Sequence, residues 1–70
     1  MNISELRAAM ARKNISVPQL ACLIGISKKT LYSRLSGKTD FNLSEIRKIA
    51  IILELSEAEI LNIFFALKVA

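Results

Sequence analysis

Ser16 to Gly37 reads SVPQLACLIGISKKTLYSRLSG, two short helical stretches joined by a glycine turn. Ser16 with Gln19 three residues on is a capping-box pair, and Pro18 falls in the first turn, where its missing N–H leaves no intrahelical bond unmade. A helix therefore starts at Val17, with Leu20, Ala21 and Ile24 on its inward stripe and Ala21 small enough for another helix to approach closely. Gly25 ends it, because glycine takes the left-handed conformation at a helix terminus without a Cβ penalty, and Ile26 beside it is placed to plug the angle between the two helices. Ser27 is the next N-cap. The second helix turns Leu31 and Leu35 inward and leaves Lys28, Lys29, Tyr32, Ser33 and Arg34 outward, and Gly37 closes it. Two helices locked across such a turn have the shape of a helix-turn-helix, whose second helix enters the DNA major groove.

The flanking segments read as scaffold for this unit. Asn2 with Glu5 caps a first helix whose Ile3, Leu6, Ala9 and Met10 form an inward stripe, while Arg7, Arg12 and Lys13 stay in water. After the loop GKTDF, Asn42 with Glu45 caps a fourth helix carrying Leu43, Ile46, Ile49, Ala50 and Leu53, and Phe41 precedes the cap as a hydrophobic staple. Ser56 with Glu59 opens a fifth through Ile60, Leu61, Ile63, Phe64 and Phe65. Five helices with short links and no strand pattern predict a compact all-α fold, one domain over residues 1–70, with the helix-turn-helix at helices 2 and 3.

The residues Leu20-Ala21, Gly25-Ile26-Ser27, Leu31 and Gly37-Lys38, with helical segments before and after, resemble the Cro/C1-type (lambda-repressor-like) helix-turn-helix regulators, above all the small Cro-like regulators of phages and prophages. The resemblance covers nearly the whole chain. It implies a five-helix DNA-binding domain that acts as a transcriptional regulator, a repressor binding operator DNA as a homodimer. Members of that family usually carry an apolar residue three positions after the equivalent of Leu31, where this chain has Arg34; the packing stripe passes to Leu35 instead.

Composition narrows the remaining classes. With 53% apolar residues in a 70-residue chain, few polar side chains are left to cover the surface, so burial against a second copy is expected. No apolar run approaches the ~18 residues of a membrane span; Ile49 to Leu53 stops after five. MNISELRAAM lacks a basic segment followed by a continuous apolar stretch, so no secretory signal is expected. Cys22, the single cysteine, has no internal disulfide partner and reads as a small packing residue in a reducing, cytoplasmic setting, bacterial or phage-infected. No histidine is present, and neither a nucleophile–base pair nor a zinc-ligand cluster nor a glycine-rich phosphate loop can be assembled. The expectation is no enzyme, no metal, no cofactor and no small-molecule substrate.

Charge is the second informative pattern. Between Leu6 and Thr39 stand Arg7, Arg12, Lys13, Lys28, Lys29, Arg34 and Lys38 without one acid, whereas from Thr39 onward three bases face five acids. A polyanion is drawn to the half that carries the motif. Lys28 and Lys29, at the end of the recognition helix that projects deepest, are expected to contact base edges together with Tyr32 and Ser33. Ser16, the backbone N–H of Val17 and its neighbours, Thr30, Arg34 and Lys38 are expected at phosphates. The helix in ILNIFFALKVA is apolar on nearly every side, and Leu61, Phe65, Leu67 and Val69 are expected to form the dimer surface. The rival reading is a protein-interaction module, an antirepressor or antitoxin-like partner, that uses the same helix to hold a different protein.

Overall fold

A computed structural model of the chain describes residues 1–65. Five helices follow one another, α1 (Ile3–Arg12), α2 (Val17–Ile24), α3 (Lys28–Leu35), α4 (Leu43–Ile52) and α5 (Glu57–Phe65), with no strand among the described residues. Local chemistry sets where each begins. Ser16 and Gln19, Asn42 and Glu45, and Ser56 and Glu59 close reciprocal capping boxes at α2, α4 and α5. At α1 the Asn2 side chain accepts the Glu5 N–H at 3.2 Å.

The helix ends share one device. α1, α2, α3 and α4 each stop on a left-handed residue, Asn14, Gly25, Gly37 and Glu54 respectively. In each case the next N–H reaches back five residues to a helical carbonyl: Ile15 to Met10, Ile26 to Ala21, Lys38 to Ser33 and Leu55 to Ala50. These are Schellman closures, which satisfy carbonyls that the helix end would otherwise leave orphaned. Two of the four left-handed positions are glycine, as the sequence predicts; Asn14 and Glu54 adopt the same conformation with a side chain.

Thirteen side chains form the core: Leu6, Ala9 and Met10 of α1; Val17, Leu20, Ala21 and Ile24 of α2; Leu31 and Leu35 of α3; Phe41; Ile49 of α4; Leu53; and Ile63 of α5. α2 packs on α3 and α4, and α1 packs on α5. Ile26 sits half-buried against the core at the turn, and Phe41 meets Phe64 edge to face with ring centroids 5.7 Å apart. The ends of the described chain are tied together: the Asn2 N–H donates to the Ile63 carbonyl at 2.7 Å.

Two inward assignments are corrected. Leu43 lies 59% exposed, because at the start of α4 it falls on the outward face in line with exposed Arg47 and Ile51, while Glu45, Ile46 and Ile49 turn toward the core. Cys22 is exposed on the outer face of α2 rather than filling a gap in the core. No helix among the described residues is long and apolar enough to cross a membrane.

Candidate nucleic-acid interface

α3 is anchored by two leucines and open on the other side. Leu31 is fully buried and Leu35 nearly so, which turns Lys28, Lys29, Tyr32 and Ser36 outward and leaves Ser33 half-buried. Ser27 fixes the start of this helix twice, accepting the Thr30 N–H at 3.1 Å and donating its hydroxyl to Thr30 Oγ1 at 2.8 Å. Both lysines therefore project from the positive end of a well-capped helix.

An open groove of about 460 Å³ runs along α3, lined by Arg7, Lys29, Tyr32, Ser33, Leu35, Ser36 and Lys38. It gathers Lys29, Tyr32, Ser33 and Lys38, four of the residues the sequence nominates. Lys28 is exposed outside it. A second hollow of about 280 Å³ is lined by Lys29, Thr30, Ser33, Arg34 and Thr39, so Lys29 and Ser33 border both. A third, of about 220 Å³, holds Ser16 and Val17 with Arg7, Met10, Ala11 and Ile15.

Arg7 belongs to both the α3 groove and the hollow at the start of α2, and so links the two regions. Sequence reasoning left it as one more wet base on α1. The signal available was its place in the acid-free stretch; what brings it to α3 is helix packing, which no local pattern encodes.

At the start of α2 the donors can be accounted for one by one. The Ser16 N–H goes to Gln19 Oε1 at 2.8 Å, Pro18 has no N–H, and the Gln19 N–H goes to Ser16 Oγ at 3.3 Å. The first-turn donor left for an anion is the Val17 N–H, on a residue whose side chain is buried.

Ion pairing sorts the seven bases of the acid-free stretch. Arg12 meets Glu59 at 2.9 Å, Lys13 meets Glu54, and Arg34 meets Glu45 at 2.7 Å. Arg7, Lys28, Lys29 and Lys38 face no carboxylate within ion-pair reach among the described residues. The pairing leaves Arg7, Lys28, Lys29 and Lys38 cationic and neutralises Arg12, Lys13 and Arg34, whose partners all lie in the acidic half.

The Arg34 pair is the most enclosed. Nε donates to Glu45 Oε1 at 2.7 Å, Nη2 to Oε2 at 3.0 Å and Nη1 to Thr39 Oγ1 at 2.9 Å. Burial pushes the Glu45 carboxyl up, but the Arg34 bonds and the Asn42 N–H outweigh it and hold the group below the usual carboxylate range. The Glu45 bond in turn raises the Arg34 guanidinium. Lys13 lowers Glu54, and the Ser56 N–H and hydroxyl lower Glu59.

Of the residues expected at a dimer surface, Leu61 is half-buried and Phe65 is 50% exposed at the end of α5. Leu67 and Val69 lie outside the described residues. No group of three or more histidine, cysteine or carboxylate side chains converges on a point among the described residues.

Comparison with known proteins agrees with this geometry. The family model described as the Cro/C1-type HTH DNA-binding domain matches residues 5–65, which span all of α2 to α5 and most of α1. That family is one of DNA-binding regulators, not of enzymes. No curated protein and no solved structure matches the chain.

Proposed function

The chain belongs to the Cro/C1-type helix-turn-helix DNA-binding family, and we propose that it is a sequence-specific transcriptional repressor, Cro-like and of phage or prophage type, that binds operator DNA as a homodimer in the bacterial cytoplasm. The observation that carries this reading is the sorting of charge: four cations without carboxylate partners surround α3, three of them lining one groove with Tyr32 and Ser33.

In this reading Lys28 and Lys29 offer ammonium donors to guanine O6 and N7, and Tyr32 and Ser33 add hydroxyl bonds or apolar contact with a thymine methyl. Lys38 and Arg7 bracket the groove and hold phosphates. The Val17 N–H and Ser16 do the same at the start of α2. Thr30 Oγ1 accepts from Ser27 but keeps its own proton to donate to a phosphate. Repression follows from occupying promoter DNA and excluding polymerase. Phe65, a large aromatic side chain half in water at the end of α5, supports pairing with a second copy.

Selection from a random duplex library at ~0.15 M salt tests the whole reading. An enriched inverted repeat with half-site centres ~10 bp apart is the expected result. Lys28→Ala or Lys29→Ala should then relax base preference by ~1–3 kcal/mol, whereas Lys38→Ala should weaken all duplexes alike and flatten the salt dependence. No enrichment, with weak binding that vanishes as salt rises, would refute it and favour a protein partner for α5.

A further inference from the structure

Arg34 stands on α3 among the cations that the reading above gives to DNA, yet its surroundings differ from theirs. Its side chain is 18% exposed and that of Glu45 is 7% exposed, and all three guanidinium nitrogens are engaged. Glu45 is engaged twice over, since the oxygen that takes Arg34 Nε also accepts the Asn42 N–H at 3.0 Å and so completes the cap of α4. Thr39, which receives the third nitrogen, turns back onto α3 itself: its hydroxyl donates to Ser33 Oγ at 3.3 Å and its N–H to the Ser33 carbonyl at 3.4 Å. The same carbonyl takes the Lys38 N–H at 3.1 Å. One side chain thus joins the last turn of α3, the 37–39 turn and the first turn of α4.

We infer that Arg34 is a positioning residue: through the forked bond to Glu45 and the bond to Thr39 it fixes the turn that carries Lys38 and the end of α3 that carries Ser33, and it contributes to operator binding through them rather than through a phosphate of its own. This rests on α3 being the DNA-reading helix. A guanidinium already neutralised by a carboxylate releases few counterions on meeting DNA, and leaving that carboxylate for a phosphate would strand Glu45 in a mostly buried place. Lysine cannot reproduce the arrangement, because an ammonium is a point charge without the planar fork.

The sign of the Glu45 effect separates the two roles. Affinity for the selected duplex is measured from ~0.05 to ~0.3 M salt for the wild type, Arg34→Gln, Arg34→Lys, Glu45→Gln and the Arg34→Gln/Glu45→Gln double variant, with circular dichroism confirming that each is folded at the assay temperature. Positioning predicts that each single variant, Arg34→Lys and Glu45→Gln included, loses roughly tenfold in affinity, that the double variant loses no more than either, and that the salt slope stays at its wild-type value. A phosphate contact predicts the reverse: Arg34→Lys binds nearly as the wild type, Arg34→Gln lowers the slope by about 0.9, and Glu45→Gln, having shed a negative charge, binds more tightly. That result overturns the inference. If the wild type selects no duplex, the DNA reading is what fails, and amide exchange in the free protein still judges the clamp. Faster exchange at Lys38 and Thr39 in Arg34→Gln and Glu45→Gln alike upholds it; unchanged rates overturn it.

Discussion

Gly25 offers a measurement of how much of this fold is backbone conformation rather than packing. It holds φ +80° at the end of α2, and a Cβ built there meets nothing within 4 Å. Any cost of Gly25→Ala is therefore conformational. An L-residue in the left-handed region costs about 1–2 kcal/mol, and alanine returns about 0.4–1 kcal/mol by restricting the unfolded chain. The net loss is about 1 kcal/mol, or a melting temperature lower by about 4–8 °C in a domain of this size. Asparagine, which tolerates this conformation, should lose only a few tenths of a kcal/mol, and valine, stiff at Cβ, should lose most. Asn14 supplies the opposite experiment. It holds φ 53° at the equivalent position of α1 with a side chain in place, so Asn14→Gly should raise stability by about 0.5 kcal/mol. Urea melts of the five proteins decide the matter. A neutral Gly25→Ala, a common loss for asparagine and valine, or a destabilising Asn14→Gly would each refute the reasoning.

Other expectations follow from the packing and the charges. Glu45, Glu54 and Glu59 are all held below the usual carboxylate range in the folded chain. The unfolded chain then binds protons first, so stability is fully present above the ordinary glutamate value of ~4.3 and declines as the pH falls through the lower folded values. Urea melts between pH ~6 and ~3 should record that decline, and a flat profile would contradict it. Leu31→Ala empties a fully buried site between α3 and the rest of the core and should cost about 2–5 kcal/mol. A 70-residue chain has roughly 4–10 kcal/mol in all, so the variant should keep about half of its stability and melt at a markedly lower urea concentration, and an unchanged midpoint would contradict the packing. Arg7→Ala should weaken every duplex to the same extent and lower the salt slope by about 1 while leaving the melting temperature unchanged. For the proposed homodimer, Phe65→Asp should shift sedimentation toward monomer at a given concentration, and an unaltered profile would exclude Phe65 from the contact.

The parts of the molecule legible in the sequence are those set within a few residues. Ser16 with Gln19, Asn42 with Glu45 and Ser56 with Glu59 announce helix starts because both halves of each bond lie in the same turn, and Gly25 announces a stop because its lack of a Cβ is a local property. Leu31 and Leu35 are legible as the buried face of α3 for the same reason. Asn14 and Glu54 were not legible as left-handed residues: the conformation is common enough in asparagine to be ambiguous and unfavourable enough in glutamate to be unexpected. Nor was the exposure of Leu43, since it lies at the edge of the apolar stripe of α4 and the rotation of the helix against the core, which leaves it beside Arg47 and Ile51, is set by packing. Arg34 and Arg7 make the same point at the candidate site. The residue pairs that define their surroundings, Arg34 with Glu45 and Arg7 with Lys29 and Lys38, come from different elements of the fold. Helix crossing sets those neighbours, and sequence spacing carries no record of it.

The bond from Asn2 to the Ile63 carbonyl, together with the Arg12–Glu59 and Lys13–Glu54 pairs, has a consequence for how the chain is made. All three join α1 or its end to residues that are synthesised much later, and closing so long a loop is the entropically costly part of their formation. α2, α3 and α4 have their partners close in sequence, whereas these three links of α1 form only once residues 54–63 have been made. Arg7 lies on that helix beside α3, so the links that tie α1 to α5 also steady one wall of the groove.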